Sequence, residues 1–407
     1  MTTPINATLT VPRFWPARGG SEMHSRELAR ALAKAGHGIQ VICHSTTDEV
    51  PAELALTQQA SASHQDGQCL IHQDCPTGLR RQALRFLASN HDRCRPVRPV
   101  FDRLLRGFSA GVIEQRSADS HVIHSIYNGL TSVAEASLQA ARRERLPFIW
   151  SPLANTDHPP GQGWSSNRFR RLYRQADALV ALTSHEREWL VSQGASPERT
   201  FVCPMGPMLT PPSPIDEFRQ RHSLGQDSFV LFLGRHDQAK GYQRLLAAAE
   251  AIWRNRPDIR LLFIGPQTDE SRAEFGRYRD PRITVIEHIS QADKNAALAA
   301  CELLCVPSCK ESLGVVYLEA WHYTKPVVAL DIPVLRSVIS HGEDGLLCEP
   351  NSTGLAAAIE CLLSSLTYRQ RLGEAGHRKL ERDYSWASIV RKHQQIYAFA
   401  LENRKQA

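Results

Sequence analysis

Short apolar runs alternate with longer amphipathic segments along most of this chain. Runs such as Phe229–Leu233 and Leu261–Ile264 have the length of buried strands and are bounded by polar residues or glycine. The segments between the runs repeat apolar residues every three or four positions, as Leu28, Ala31 and Leu32 do, which is typical of helices packed on a sheet. Strands that alternate with helices in this way predict an α/β fold built from Rossmann-like β-α-β units.

A proline-rich segment divides this pattern into two series. Residues 206–214 contain four prolines, and 407 residues exceed what one ordinary core holds. We therefore expect two Rossmann-like domains, one at 1–205 and one at 206–385, that face a cleft. The last helix, at about 386–407, is expected to pack back onto the first domain.

The pattern is weakest in residues 45–78, which are rich in Gln, Ser, Asp and His. We expect a variable loop there, with one strand at Cys69–His72.

Composition excludes several classes of protein. Hydrophobic residues make up 42% of the chain, yet no apolar run approaches the length that spans a bilayer. Met1–Ala7 has no basic segment of the kind that opens a signal peptide, and the ten cysteines are irregularly spaced. These features predict a cytoplasmic protein with free thiols and without transmembrane helices.

Two groups of side chains resemble metal ligands, but we favour a packing role for both. Cys301, Cys305 and Cys309 are equally spaced, although a strand and Pro307 between them prevent three sulfurs from sharing one face. His121 and His124 are an odd number of residues apart in a strand, so their rings would point to opposite faces. No metal is expected.

An arginine-rich stretch interrupts the otherwise modest net charge of +6. It predicts an anionic partner, namely a lipid head group, a phosphorylated acceptor or a polyanionic glycan, rather than a nucleic acid. A solvated helical face is an equally good explanation. The arginines are Arg80, Arg81, Arg85, Arg93, Arg95, Arg98, Arg103 and Arg106.

The segment 305–330 contains the strongest candidate chemistry. Its pattern predicts a strand, a loop, a helix that begins near Ser312 and a second strand. A helix start favours an anion just ahead of Leu313 and Gly314, and Glu311 and Glu319 would flank that anion. An elongated anion such as a nucleotide diphosphate sugar fits this arrangement, whereas two solvated carboxylates are the alternative.

Two cations follow the first strand of the second series, in the sequence GRHDQAKG. Arg235 and Lys240 would lie at the carboxyl end of that strand, where ligands bind in open α/β sheets. The sequence has no Asp-x-Asp motif to hold a divalent ion, so these two cations and the helix start at Leu313 would stabilise a diphosphate themselves.

These features resemble glycosyltransferase family 4, whose members are retaining, depend on nucleotide sugars and have the two-domain GT-B fold. The resemblance covers nearly the whole chain. It rests on six sequence motifs, which are the PxxGGxE-like Pro16–Glu22, Gly36-His37, ADALVALTSHEREWL at Ala176–Leu190, GRxxxxKG at Gly234–Gly241, PSxxES at Pro307–Ser312, and DGLLCEP at Asp344–Pro350.

The resemblance implies a role for each candidate residue. Glu311 would contact hydroxyls of the donor sugar and Glu319 the ribose, while Arg235 and Lys240 would hold the diphosphate. Gly20 would approach the phosphate or the acceptor from the first domain, and His158 looks like the family's histidine near the sugar. The residues assigned to catalysis are Glu311, Arg235, Lys240 and His158, and those assigned to donor binding are Gly20, Gly234, Arg235, Lys240, Glu311, Ser312, Leu313, Gly314 and Glu319.

The predicted function is therefore a retaining, metal-independent glycosyltransferase. It would move a sugar from a UDP- or GDP-sugar to a glycan, a lipid-linked or a small-molecule acceptor in cell-envelope polysaccharide or glycoconjugate synthesis. Peripheral contact with the inner face of an anionic membrane is expected. A catalytically silent sugar-nucleotide-binding protein is the main alternative, and a nicotinamide oxidoreductase is disfavoured because GxGxxG is absent from both first strand-helix turns.

Overall fold

The computed structural model describes residues 4–17, 19–90 and 96–406. These residues form two compact units. The first unit contains the chain up to Pro204 and the C-terminal segment from Trp386, and the second runs from Met205 to Ser385.

The first unit is built on a sheet of eight strands among the described residues. They are β1 (Asn6–Thr10), β2 (Gly38–Cys43), β3 (Ala62–Asp66), β4 (Cys69–Gln73), β5 (Val122–Ile126), β6 (Phe148–Ser151), β7 (Ala178–Ala181) and β8 (Thr200–Val202). Their order is β3-β4-β2-β1-β5-β6-β7-β8, and all neighbours are parallel except β3 and β4.

Helices cover both faces of this sheet. They are α1 (Gly20–Lys34), α2 (Ala52–Gln58), α3 (Gly78–Asn90), α4 (Val97–Arg116), α5 (Thr131–Arg143), α6 (Asn167–Gln175) and α7 (Ser184–Ser192), and the helix after the second unit also belongs here.

Successive residues of β5 show how the two faces are filled. Val122 belongs to an apolar cluster that includes Leu28 of α1, whereas Ile123 belongs to the cluster on the opposite face. This alternation is the two-residue period of a strand. Ile389 and Tyr397 of the C-terminal segment are fully buried in the first cluster, and burial of each such side chain contributes about 1.5–3 kcal/mol.

The second unit has six strands among its described residues, all parallel. They are β9 (Phe229–Leu233), β10 (Arg260–Ile264), β11 (Ile283–Ile286), β12 (Leu303–Val306), β13 (Val327–Leu330) and β14 (Leu346–Cys348), in the order β11-β10-β9-β12-β13-β14.

Its helices are α8 (Ile215–Arg221), α9 (Tyr242–Asn255), α10 (Asp269–Phe275), α11 (Gln291–Ala300), α12 (Val315–His322), α13 (Pro333–Arg336), α14 (Ser352–Leu363) and α15 (Leu366–Lys379). The chain then returns to the first unit as α16 (Trp386–Gln406).

The two parallel α/β sheets confirm the predicted fold class. The prediction for residues 45–78 is partly wrong. The expected strand at Cys69–His72 is confirmed as β4, but the expected loop contains α2 and β3, the antiparallel partner of β4. Four of the polar residues that suggested a loop, at positions 63–66, belong to β3, an edge strand whose side chains are mostly exposed, so it needs no apolar pattern.

The proline-rich segment 206–214 is attached to the second unit. The Ser213 amide donates to the Ala292 carbonyl at 3.0 Å, and the Asn295 side chain donates to the Thr210 carbonyl at 2.5 Å. These bonds fasten the segment along α11, so its prolines do not form a free spacer.

Within the described residues, we find no helix that is both apolar enough and long enough to traverse a bilayer.

Candidate functional site

The candidate residues of the second unit lie where its parallel strands end. Because β9 and β12 are neighbours, the loop 234–241 after β9 and the loop 307–314 after β12 lie side by side. The Cys309 amide donates to the Ala239 carbonyl at 2.9 Å and joins the two loops. This edge of the sheet is where open α/β folds bind ligands.

Two glycines allow these loops to take their shapes. Gly241 has a φ of +76°, and a Cβ there would collide with the Pro307 carbonyl oxygen. Gly314 has a φ of +84°, and a Cβ would collide with the Tyr317 ring. A side chain at either position would therefore strain the backbone and push its surroundings apart.

The prediction that the helix after β12 begins near Ser312 is wrong. The helix begins at Val315, its N-cap is Gly314, and no side chain caps it. Serine is a common N-cap, which explains the error, but the left-handed turn at Gly314 starts the helix instead. The free N–H groups of the first turn therefore begin at Val315. The expected anion-binding position accordingly shifts from Leu313 to the N–H groups that begin at Val315.

Lys240 and Glu311 form an ion pair, although they are 71 residues apart in sequence. Lys240 Nζ lies 2.6 Å from Glu311 Oε1, and the exposed fractions of the two side chains are 28% and 7%. Such partial burial reduces solvent screening, so each charge depends strongly on the other. The pair places an ammonium and a carboxylate together at the mouth of α12.

Arg235 is the most exposed of the candidate cations. Its guanidinium lies 2.8 Å from the Asp237 carboxylate, and 69% of its side chain is exposed. Asp237 also accepts from the Lys240 amide at 2.9 Å, so this carboxylate shapes the whole loop. His236 lies between Arg235 and Asp237 in the sequence. Burial lowers the pKa of His236 to about 4, so its ring is neutral near pH 7. Arg235 and Lys240 are thus the cations that the loop offers.

Glu319 lies in the body of α12 and is buried. Its Oε1 lies 2.8 Å from Lys294 Nζ of α11, and Lys294 also donates to the Met208 carbonyl at 3.4 Å. Glu319 therefore has a fixed position and a cation beside it, which a solvated helix-surface carboxylate would not have.

Four carboxylates that follow strands of this edge are paired with cations. Besides Asp237 and Glu311, Glu287 after β11 lies 2.7 Å from Arg272, and Asp331 after β13 lies 2.8 Å from Arg336. Glu349 after β14 is exposed, and it accepts a hydrogen bond from the Asn351 side chain but forms no ion pair with a described residue.

In the first unit, Gly20 is the first residue of α1 and is exposed, with open space where a Cβ would point. Three side chains near the start of α1 form a polar group. Glu22 is buried and accepts from Arg13 Nε at 2.7 Å, while Asn128 donates to the Arg13 carbonyl at 2.6 Å. The ends of β1 and β5 are thereby tied to the start of α1.

His158 lies in the loop after β6, also in the first unit. Its ring packs 5.1 Å from that of Trp164, and its Nδ1 is buried without a hydrogen-bond partner in the described chain. The Trp164 indole donates to the Pro152 carbonyl at 2.9 Å, which braces the loop. One nitrogen of a braced imidazole is therefore left without a protein partner.

Glu186 supports the same loop from α7. Its two oxygens accept from the amides of Ala154 at 2.6 Å and Leu182 at 2.7 Å, and burial raises its pKa to about 7. Thr183 and Glu186 have the spacing of a capping box, and Thr183 does cap α7. That signal locates the helix start, but it does not reveal the buried carboxylate.

Sequence reasoning also missed Lys294 and Asp237. The order of the motif could have suggested Asp237, because it separates Arg235 from Lys240. No local signal points to Lys294, whose partner Glu319 is 25 residues away. Gly234 and Ser312 lie in the two loops, and both are half-buried.

Comparison with known proteins identifies the same two parts of the chain. The family model for "Glycosyl transferase 4-like domain" matches residues 19–206, and the model for "Glycosyl transferases group 1" matches residues 214–379. Together the two models include Gly20 and His158 of the first unit and Arg235, Lys240, Glu311 and Glu319 of the second.

Full-length relatives and a solved structure agree with these matches. The chain is 27% identical to D-inositol 3-phosphate glycosyltransferase of Pseudarthrobacter chlorophenolicus over 88% of this chain and 85% of that protein. It is 25% identical to glycogen synthase of Mycobacterium tuberculosis over 95% of this chain and 93% of that protein. Its fold matches that of HepE from Anabaena, solved with UDP and glucose, with a TM-score of 0.70 at 17% identity, covering 96% of this chain and 98% of that one.

Proposed function

Because the chain belongs to the group 1 glycosyl transferases, which use nucleotide sugars, we propose that it transfers a sugar from a nucleotide diphosphate donor with retention and without a metal. The observation that carries this proposal is the Lys240–Glu311 pair at the mouth of α12. In this proposal the second unit binds the donor and the first unit binds the acceptor.

The diphosphate would bind Lys240, Arg235 and the first turn of α12. Both cations are balanced by carboxylates in the chain alone, so a diphosphate would compete with Glu311 and Asp237 for them. When Lys240 turns toward phosphate, Glu311 is freed to accept hydrogen bonds from sugar hydroxyls. Binding of the anion and orientation of the sugar are then coupled, and the cations stabilise the charge that develops as the nucleotide leaves.

Glu319 would hold the ribose. Lys294 occupies one of its carboxylate oxygens, at 2.8 Å, and fixes its direction. A positioned carboxylate oxygen can accept from two neighbouring hydroxyls, which a ribose provides.

Retention is supported by the cation partners of the four carboxylates that follow β9, β11, β12 and β13 at the edge of the second unit. An inverting enzyme needs a general base that activates the acceptor from the face opposite the leaving group. Asp237, Glu287, Glu311 and Asp331 all carry cationic partners. We therefore propose attack from the leaving-group side, with the departing phosphate as the base and with His158 close to the sugar.

The donor, the acceptor and the location of the reaction are finer points of the same proposal. HepE was solved with UDP and glucose, which makes a UDP-sugar the first donor to test, followed by GDP-sugars. The relatives act on acceptors as different as an inositol phosphate and glycogen, so we keep glycan, lipid-linked and small-molecule acceptors open. A cytoplasmic role in envelope polysaccharide or glycoconjugate synthesis, with peripheral membrane contact, completes the proposal.

The test is a screen of UDP-, GDP- and ADP-sugars by release of the nucleotide, repeated with EDTA. We expect slow donor hydrolysis for one nucleotide without an acceptor, and undiminished rates with the chelator. NMR of the transfer product should show the anomeric coupling of the donor.

Three results would contradict the proposal in different ways. No hydrolysis or transfer with any donor, together with tight nucleotide binding, would favour the catalytically silent alternative. An inverted product would refute the assignment of the base, and activity that vanishes in EDTA and returns with Mg²⁺ would refute metal independence.

A further inference from the structure

Two neighbouring helices of the first unit, α3 and α4, expose large apolar side chains. Leu79 and Phe86 of α3 are 83% and 67% exposed, and Val100 and Leu104 of α4 are 49% and 38% exposed. On each helix the two residues are seven or four positions apart and so lie on one face, opposite the buried face. Four of the nine large exposed hydrophobic residues in the described chain are thus concentrated on two adjacent helices.

The arginine-rich stretch covers the same two helices, and its arginines differ in the contacts that they make. Arg81 donates to a backbone carbonyl, while Arg98 and Arg106 form ion pairs within the unit. Arg93 and Arg95 lie outside the described residues. The remaining three are exposed and form no ion pair with any residue in the described part of the chain, namely Arg80, Arg85 and Arg103.

The exposed cations and the exposed apolar side chains are adjacent. Arg80 and Arg103 line the same groove of about 510 Å³ as Val100 and Leu104. The Arg80 guanidinium lies 5.8 Å from the ring centre of Phe108, so the start of α3 lies beside the second half of α4. Val100 and Leu104 therefore share one groove with two arginines that form no ion pair in the described part of the chain.

Negative charge is scarce around it. From Gly78 to Gly111 the sequence has only two carboxylates, Asp92 and Asp102. Asp92 lies outside the described residues, and Asp102 accepts from Arg168 and Ser132 within the unit. Since no exposed carboxylate of the described helices offsets the arginines, the surface keeps its positive potential.

We propose that this surface docks onto a bilayer of anionic phospholipid. The docking surface comprises Leu79, Arg80, Arg85, Phe86, Val100, Arg103 and Leu104. Its arginines would bind phosphate head groups, and its apolar side chains would enter the boundary between head groups and acyl chains. A polyanionic glycan would satisfy the arginines but would leave Leu79 and Phe86 in water, and for this reason we favour the lipid surface.

The inference concerns where the protein works and adds a site to the proposed function, but it does not depend on the donor chemistry. A chain that hydrolyses no donor could still bind vesicles. Both properties are therefore measured on the same protein samples.

The experiment is sedimentation of the full chain with vesicles of phosphatidylcholine alone, or of an equimolar mixture with phosphatidylglycerol. Binding is expected only with the anionic vesicles and should weaken as salt is raised. The triple variant Arg80→Gln, Arg85→Gln, Arg103→Gln should bind about a hundredfold more weakly, since each arginine near an anionic surface contributes about fivefold.

Two further variants distinguish this surface from net charge and from simple polyanion binding. Arg145, Arg171 and Arg174 are exposed arginines of the same unit outside the docking surface, and their triple replacement by Gln changes the net charge equally. This control variant should change vesicle binding by less than about fivefold, which is the contribution of one surface arginine. Replacement of Leu79 and Phe86 by Ser should weaken vesicle binding while leaving retention on a heparin column unchanged.

Several outcomes would overturn the proposal. Equal sedimentation with neutral and anionic vesicles would remove the role of the arginines, and an equal loss in the control triple would reduce it to net charge. Full vesicle binding by the Ser variant would show that no apolar side chain enters the bilayer and would favour a glycan partner. Donor hydrolysis without vesicles should be the same in all these variants, which confirms that each one is folded.

Discussion

The Lys240–Glu311 pair allows structural and catalytic roles to be separated by a double-mutant cycle. Lys240→Met removes the ammonium but keeps much of the apolar stem, so the Glu311 carboxylate, only 7% exposed, loses the partner that lies at 2.6 Å. Glu311→Gln removes the opposite charge with little change of shape. Each single variant leaves one charge unbalanced, whereas the double variant leaves none.

The size of the effect follows from the burial of the two side chains. Breaking a fully buried ion pair by removing one partner costs about 3–5 kcal/mol, whereas exposed pairs contribute less than about 1 kcal/mol. With Lys240 28% exposed, we expect Lys240→Met to destabilise the second unit by about 2 kcal/mol. The double variant should lie within about 1 kcal/mol of the wild type, so the coupling energy should exceed the cost of Glu311→Gln alone by about 1–2 kcal/mol.

Turnover should behave differently. Without the ammonium, the leaving diphosphate loses about 2–4 kcal/mol of transition-state stabilisation, and donor hydrolysis falls about a hundredfold or more. The double variant cannot recover this loss, because the cation is still absent. Stability should therefore return in the double variant while activity does not.

Hydrogen exchange of second-unit amides in increasing denaturant is the appropriate measurement of stability, since the two units need not unfold together. Donor hydrolysis is measured on the same samples. Recovery of both properties in the double variant would show that Lys240 acts only through Glu311 and would remove it from the mechanism. Failure to recover stability would show that the ion pair is not the cause of the loss.

Other expectations concern the ribose, the exposed arginine and acid stability. Glu319→Gln should raise the donor KM with little effect on kcat. Lys294→Met should have the same effect, because without Lys294 the Glu319 carboxylate is no longer held in position. A fall in kcat alone would contradict the ribose role. Arg235→Ala should lower kcat by at least about tenfold without affecting stability, since 69% of its side chain is exposed; unchanged turnover would exclude it from diphosphate binding. Burial lowers the pKa of His24 from 6.5 to about 3, so its contribution to stability is present above pH 6.5 and is lost as the pH falls toward 3. His24→Leu should therefore reduce the loss of first-unit stability between pH 6.5 and 4.5 by about 2–3 kcal/mol in denaturant titrations, and parallel profiles for the two proteins would refute this assignment.

Local sequence was sufficient for much of the fold. The apolar runs Phe229–Leu233 and Leu261–Ile264 form strands β9 and β10, because each is a short apolar run flanked by a polar residue and a glycine. Parallel strands have their carboxyl ends at one edge, so residues just after such runs could be expected near each other. This rule predicts Arg235 and Lys240 at the edge, the expected helix start predicts Glu311, and the three residues do lie in adjacent loops.

Local sequence misled where a backbone conformation or a sheet edge overrode the usual preferences. Ser312 has the chemistry of an N-cap, yet the positive φ of Gly314 sets the start of α12. The edge strand β3 lacks an apolar pattern because its side chains are mostly exposed, so its sequence predicts a loop.

The tertiary structure alone decided which charges balance each other. Lys240 meets Glu311 because β9 and β12 are neighbours in the sheet, and Lys294 meets Glu319 because α11 packs beside α12. Such contacts join residues far apart in sequence, and the order of the strands, rather than any local motif, selects the partners. Sequence therefore indicated which groups could act on an anion, and the sheet topology determined which of them are held in position to do so.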